Sequence, residues 1–266
     1  MRSTAVRRTA LAAAAASLVL LVSACGGEGS GGGTKDETKG KGDESAAAKP
    51  AAKALSAAEL EKAALAQGDV EAHKVIKAGP QDDMAAKDVT TDKAECEPVA
   101  RALAGVPLGE PVATVKRRVT AEPDAKAAGK GLDDLTDEEI DGAMEGAFDI
   151  TTSLVALSSY ESRGAADAFS ALKSAATACA GGFTMTMSGA EQKVLKLTEA
   201  KVSGGDEAVA WTMPSEQDGE KLPFNLAVVR EGSTFTTFSS FNIMAPEGEP
   251  LPLPAAVVDA QVAKLG

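Results

Sequence analysis

Two rhythms of apolar and polar residues run along this chain and sort it into helices and strands. In "LSAAELEKAALAQGD" (residues 55–69) Leu60, Ala63 and Ala64 share one face at helical spacing. Ser56 with Glu59 makes a capping box at the start, and Gly68 supplies a stop. In "DKAECEPVARALAG" (92–105) Cys96, Val99 and Leu103 recur at +3 and +4. In "ESRGAADAFSALKSAATACAGG" (161–182) Phe169, Leu172, Ala176 and Cys179 recur at +3, +4 and +3. Both spacings predict helices whose sulfur atoms face inward. A further short helix is predicted in "TDEEIDGAMEG" (136–146) from a second capping box, Thr136 with Glu139, after a polar loop over 122–135. The last is "PAAVVDAQVAKLG" (254–266), with Val257, Val258, Val262 and Leu265 inward.

The strand rhythm is clearest in "GFTMTMSG" (182–189), which sets Phe183, Met185 and Met187 on one face and Thr184, Thr186 and Ser188 on the other. "VEAHKVIKA" (70–78), "EPVATVKRRVTA" (110–121) and the Thr- and Val-rich "AFDITTSLVALSSY" (147–160) also read as strands. "QKVLKLTEAKV" (192–202) and "EAVAWTM" (207–213) flank a Gly204-Gly205-Asp206 turn. "LPFNLAVVREGSTFTTFSSFNIM" (222–244) reads as a hairpin turning at Glu231-Gly232. Runs of strands between few helices predict an α+β body with a largely antiparallel sheet. Helices are expected on one side of that sheet, the two cysteine-bearing ones stapled together.

The N-terminal stretch has a different pattern. Arg2, Arg7 and Arg8 precede an apolar run from Ala10 to Val22. That run is shorter than the roughly 20 residues of a spanning helix and suits the apolar region of a secretory signal. It ends in Val22-Ser23-Ala24-Cys25, which resembles the bacterial lipobox, where small residues precede the cysteine that becomes an acylated N-terminus. The resemblance implies a signal peptide over residues 1–24 and lipid on Cys25; an ordinary cleavage site or a buried cysteine is the alternative. The Arg7-Arg8 pair could suggest twin-arginine export, but its surroundings fit that motif poorly and favour the general secretory route. Residues 26–54 hold no aromatic and no large aliphatic residue until the helix approaches, so they cannot offset ordering entropy. Residues 25–54 read as a lipidated tether reaching on the order of 30 Å. Residues 55–266 read as one folded domain. The Ala- and Gly-rich composition has an actinobacterial look.

Charge fits that address. The formal net charge is −12, and loss of three arginines with the signal leaves −12 − 3 = −15. An acidic surface does not attract nucleic acid, nor an anionic bilayer, so the membrane is reached through the lipid anchor. Of three cysteines, Cys25 is assigned to lipid. Cys96 and Cys179 then form an even pair in an oxidising compartment and read as a disulfide, with two free buried thiols as the alternative.

The helix ending in Ala178-Cys179-Ala180-Gly181, with the "DEAVAW" and "VVREGSTFTTFS" strands, resembles the PknH-type extracellular sensor domain of actinobacterial receptor kinases and related lipoproteins. The resemblance covers about residues 92–266. It implies an α+β sheet domain with a cleft for an extracellular ligand, and it carries over no binding residue. This chain departs from the receptor form: it has no kinase segment, and only one disulfide can form.

Catalytic chemistry finds little support. His73 is the only histidine and sits at a strand end, and no G-x-S-x-G elbow occurs. Ser170–Lys173 fits the S-x-x-K pattern of penicillin-recognising enzymes, but S-D-N and K-T-G are missing. One His and no spare Cys argue against zinc. Asp133, Asp134, Asp137, Glu138, Glu139 and Asp141 could offer oxygens to calcium, yet they lack EF-hand spacing. No cofactor is expected. Met185, Met187, Met213, Phe183, Trp211 and Phe224 share a sheet face that is either sealed core or a greasy cleft. The expected function is non-enzymatic: a lipid-anchored module at the outer face of the cytoplasmic membrane that binds an extracellular ligand or envelope protein. The alternatives are a carrier or chaperone for lipidic molecules, and a hydrolase.

Overall fold

The computed structural model describes residues 52–122, 136, 150–242, 245 and 251–266. Four α-helices and ten strands are found among them: α1 (Ala57–Ala63), β1 (His73–Lys77), β2 (Val89–Thr91), α2 (Glu97–Leu103), β3 (Ala113–Ala121), β4 (Thr152–Ser159), α3 (Gly164–Ala178), β5 (Phe183–Met187), β6 (Ala190–Val194), β7 (Thr198–Ala200), β8 (Glu207–Gln217), β9 (Glu220–Glu231), β10 (Thr234–Phe241) and α4 (Ala255–Ala263). The strands form one sheet in the order β1-β3-β4-β10-β9-β8-β6-β5-β2, with β7 also on β8. Each pairing among the described residues is antiparallel. The α+β expectation therefore holds. The loop expected over 122–135 and the helix over 136–146 fall almost wholly outside the described residues.

Helices cover both faces of the sheet, which corrects the one-sided arrangement expected from sequence. Leu226 and Val228 of β9 join one core with α2 and α3, in which Val99, Leu172 and Ala176 are buried. Ala227 and Val229, alternating with them, join a second core with Leu60 of α1 and Val257 and Val258 of α4. The physical reason lies in the central strands. Seven of the eight residues of β10 are buried, on both faces, so both faces need a cover.

The helix ends follow their sequence signals. Glu59 Oε2 accepts from Ser56 N at 2.8 Å, and Ser56 Oγ accepts from Glu59 N at 3.4 Å, completing the capping box. Helix α2 stops in a Schellman motif: Val106 N donates to Arg101 O at 2.8 Å and Gly105 N to Ala102 O at 3.1 Å. Gly105 has φ +63°, and a Cβ there would stand 2.7 Å from Leu154 Cδ2, so this turn lies directly on β4.

Cys96 and Cys179 are bridged, with Cα atoms 5.8 Å apart. Only one α-helix takes part, which corrects the expected staple between two. Cys179 is the C-cap of α3, whereas Cys96 belongs to the one-turn 3-10 segment Ala94–Cys96 ahead of α2. Pro98 in the first turn of α2 suits a helix start, and the chain before it tightens into the 3-10 turn. "QKVLKLTEAKV" also divides: β6 ends at Val194 and β7 begins at Thr198, both on β8, where Leu195 N donates to Pro214 O at 2.9 Å.

Candidate functional site

Strand β3 carries two adjacent arginines, and strand alternation sends them to opposite faces. Arg117 turns toward α1 and is buried; its Nε donates to Leu65 O at 2.8 Å and its guanidinium pairs with Glu61 at 2.9 Å. Lys77, at 2.5 Å, and then Arg117 hold the Glu61 carboxyl below the usual carboxylate range. Arg118 turns to the α2 side and pairs with Asp82 at the end of the 3-10 segment Pro80–Asp82. Asp82 Oδ2 also accepts from Gly79 N at 2.9 Å, and Lys116 Nζ donates to Asp82 O and Asp83 Oδ1, each at 3.1 Å. These bonds pin the 79–83 turn across the end of the sheet, and the turn becomes a wall.

Behind that wall is a cleft of about 420 Å³. The turn with Met84 forms one side, and Leu103 and Ala104 at the end of α2 form another. Two rows of side chains make the floor, read off the strand register. One is Arg118–Leu154–Ser239, and the other is Thr120–Thr152–Phe241–Phe224. The floor is therefore polar over β3, mixed over β4 and β10, where Leu154 adjoins Thr152 and Ser239 adjoins Phe241, and apolar over β9. Phe224 and Phe241 lie with ring centroids 5.8 Å apart, and Met187 extends the apolar end. The depression along β7, about 670 Å³, is lined by Glu199–Ser203 with Ala208 and Val209. Another, about 590 Å³, lies between Leu108–Val112 and the start of α3. The 420 Å³ cleft differs in joining a cation, hydroxyls and a pair of rings drawn from distant parts of the chain.

Among solved structures the chain has loose likenesses. No family model matches the chain, and no curated protein does. The extracellular domain of PknH from Mycobacterium tuberculosis is 13% identical, with a TM-score of 0.45 over 80% of this chain and 95% of that one. The Rv0999 ortholog from Mycobacterium smegmatis is 11% identical, with a TM-score of 0.34 over 79% of this chain and 94% of that one. Likenesses this distant carry no conclusion about ligand or activity.

The residues singled out from sequence are scattered. Cys25 and the Asp133–Asp141 acids lie outside the described residues. His73 opens β1, its Nδ1 2.7 Å from Glu71 O. Ser170 and Lys173 are both exposed on α3. Among the described residues no group of three or more His, Cys, Asp or Glu is placed to hold a metal, and no helix is long and apolar enough to cross a membrane. Of the greasy set, Phe183, Met185, Trp211 and Met213 are buried in the α2/α3 core, while Met187 and Phe224 are half-buried and reach the cleft. Both sequence alternatives thus apply: most of that face is core, and its end is a cleft. Sequence reasoning missed Asp82, Arg118, Leu154 and Phe241. Only the alternation of "VKRRV" hinted that one arginine must face each way.

Proposed function

We propose that this chain is an extracytoplasmic lipoprotein whose folded body is a non-enzymatic binding module, taking an extracellular ligand or envelope partner at the 420 Å³ cleft. In this reading residues 1–24 are removed, Cys25 is acylated, and residues 25–54 tether the body (55–266) to the outer face of the cytoplasmic membrane. The cleft carries the reading. It has the volume of a small-molecule site, with an apolar end and a few convergent polar groups. The disulfide supports an oxidising location. The carrier reading lacks a comparable observation, because Met185 and Met213 are closed into core at 1% and 0% exposure.

The chain's attachment supports an outward-facing site. Leu55 N donates to Ser159 Oγ at 2.7 Å, and Lys53 O accepts from Ser233 Oγ at 2.9 Å. The tether therefore joins at the Ser159 end of β4, while the cleft lies at its Thr152 end, about 23 Å away along the strand. The test is mass spectrometry of small molecules that co-purify with the full chain from native envelopes. A molecule retained by wild type and lost in Phe241→Ser is the expected result. Retention indifferent to Phe241→Ser, or no retained molecule, would remove the cleft as the site.

A further inference from the structure

We propose that the cleft selects an amphiphile with a single acidic head, a carboxylate or a phosphate monoester, bound head to Arg118 and tail over Phe241 and Phe224. This deepens the binding-module reading and rests on it. The floor sets the direction. Along the second row hydroxyls give way to rings, with Thr120 and Thr152 on β3 and β4 and Phe241 and Phe224 on β10 and β9; in the first row Arg118 on β3 is followed by Leu154 and Ser239. Three strand spacings separate β3 from β9, so a ligand about 14 Å long spans head to tail. A ligand polar all over would leave the rings covered by unsatisfied polar groups, and one apolar throughout would strip water from Arg118 without replacing it.

The sign of the head follows from donor and acceptor accounting. A guanidinium offers five N–H donors. The side-chain partner of Arg118 among the described residues is Asp82 Oδ1, through one terminal nitrogen, and the Arg118 side chain is 31% exposed. Capacity for a second acceptor remains on it. Asp82 is committed on both oxygens, Oδ1 to Arg118 and Oδ2 to Gly79 N, and its side chain is 11% exposed. A cationic head would thus meet a carboxylate already bonded twice. An acidic head meets a planar fork of the kind that binds carboxylate and phosphate in pairs of bonds. Lys116, which holds the same turn, is itself paired with Asp83, so Arg118 is the cation that the cleft presents.

Calorimetric titration of the full chain with decanoate, decyl phosphate, decyltrimethylammonium and decyl glucoside, each below its micelle concentration, tests this. Decanoate or decyl phosphate should bind one to one, at least tenfold tighter than the cation and the glucoside. The tighter of the two acids identifies the head. Arg118→Leu should weaken the acid by about 10- to 100-fold, the span of a lost charge-assisted hydrogen bond. Because Arg118 also fastens the wall, Asp82→Asn separates the two roles. It removes the same ion pair but leaves the cation, so the acid should bind as well as before or tighter. Weakening by Asp82→Asn equal to that by Arg118→Leu would reduce Arg118 to a fastener and overturn the proposal. So would equal binding of the cation, or no acid bound below millimolar concentration. If envelopes yield a retained molecule that is not acidic, and Phe241→Ser releases it, the acidic-head inference fails while the cleft stands as the binding site.

Discussion

Gln261 shows how one buried polar side chain can join two ends of a chain. It is fully buried on α4, where its Oε1 accepts from Leu65 N at 3.1 Å and its Nε2 donates to Ala63 O at 2.7 Å. Both partners lie at the end of α1, where backbone groups lack helical partners. Gln261→Leu keeps much of the volume but leaves a donor and an acceptor buried and unpaired. The expected loss is about 2–4 kcal/mol in urea denaturation; Lys264–Asp69 beside it, partly exposed, contributes little. A loss within a few tenths would show that water replaces the amide. Tyr160 gives a cleaner readout, because it is the single tyrosine. Its hydroxyl donates to Leu108 O at 2.6 Å, and burial pushes its pKa up to about 12. An unfolded tyrosine ionises near pH ~10. The raised value means that the stabilising contribution is intact below pH ~10 and is lost as pH rises toward 12. Phenolate absorbance should therefore appear late and together with unfolding, and a reversible titration near pH ~10 in the folded protein would contradict this burial.

Among the elements, those with a local signal were legible in advance. The capping box marked α1, the apolar spacing marked α3, and the alternation of 183–187 marked β5. Sidedness was harder, for a reason visible in "TFTTFSSF". Its phenylalanines recur every three residues, so Phe235 and Phe238 fall on opposite faces of β10, one in each core. Small hydroxyl residues fill the rest; Ser153 and Ser240 satisfy one another at 2.7 Å across β4 and β10. A strand buried on both faces with Ser and Thr in it looks half-exposed by composition. The cleft was illegible because Asp82, Arg118, Leu154 and Phe241 meet through strand order rather than spacing. The disulfide was legible from cysteine parity, although its seat in a 3-10 turn was not. It closes a loop of about 84 residues, and its loss should cost roughly 4–5 kcal/mol by chain entropy. Because both sulfurs are buried, the comparison is Cys96→Ala/Cys179→Ala against wild type in urea, and an unchanged midpoint would mean that the staple constrains little.

At the scale of the whole molecule, the proposed lipoprotein reading requires a means of bringing an acidic body to a bilayer. With residues 1–24 removed, as proposed, the charge near −12 − 3 = −15 would repel an anionic surface, and no described helix is long and apolar enough to span a membrane. In the proposed reading attachment comes through the first residues, and the lipobox-like ending at Cys25 supplies a chemical means. One acyl chain holds a protein only marginally, whereas two or more hold it stably. Cys25→Ala should therefore abolish both label and attachment: radioactive palmitate should mark wild type and not the variant, and the variant should leave the membrane fraction for the medium. Salt discriminates the rival explanation. If acidic surface and divalent counterions held the body down, chelator and high salt would release wild type as well, since screening shortens the reach of such contacts to a few ångströms. An acyl anchor is indifferent to both. Wild type released by salt, or a variant that stays on the membrane unlabelled, would place the attachment in the folded body, and the end of β4 that carries the tether would no longer define which way the cleft faces.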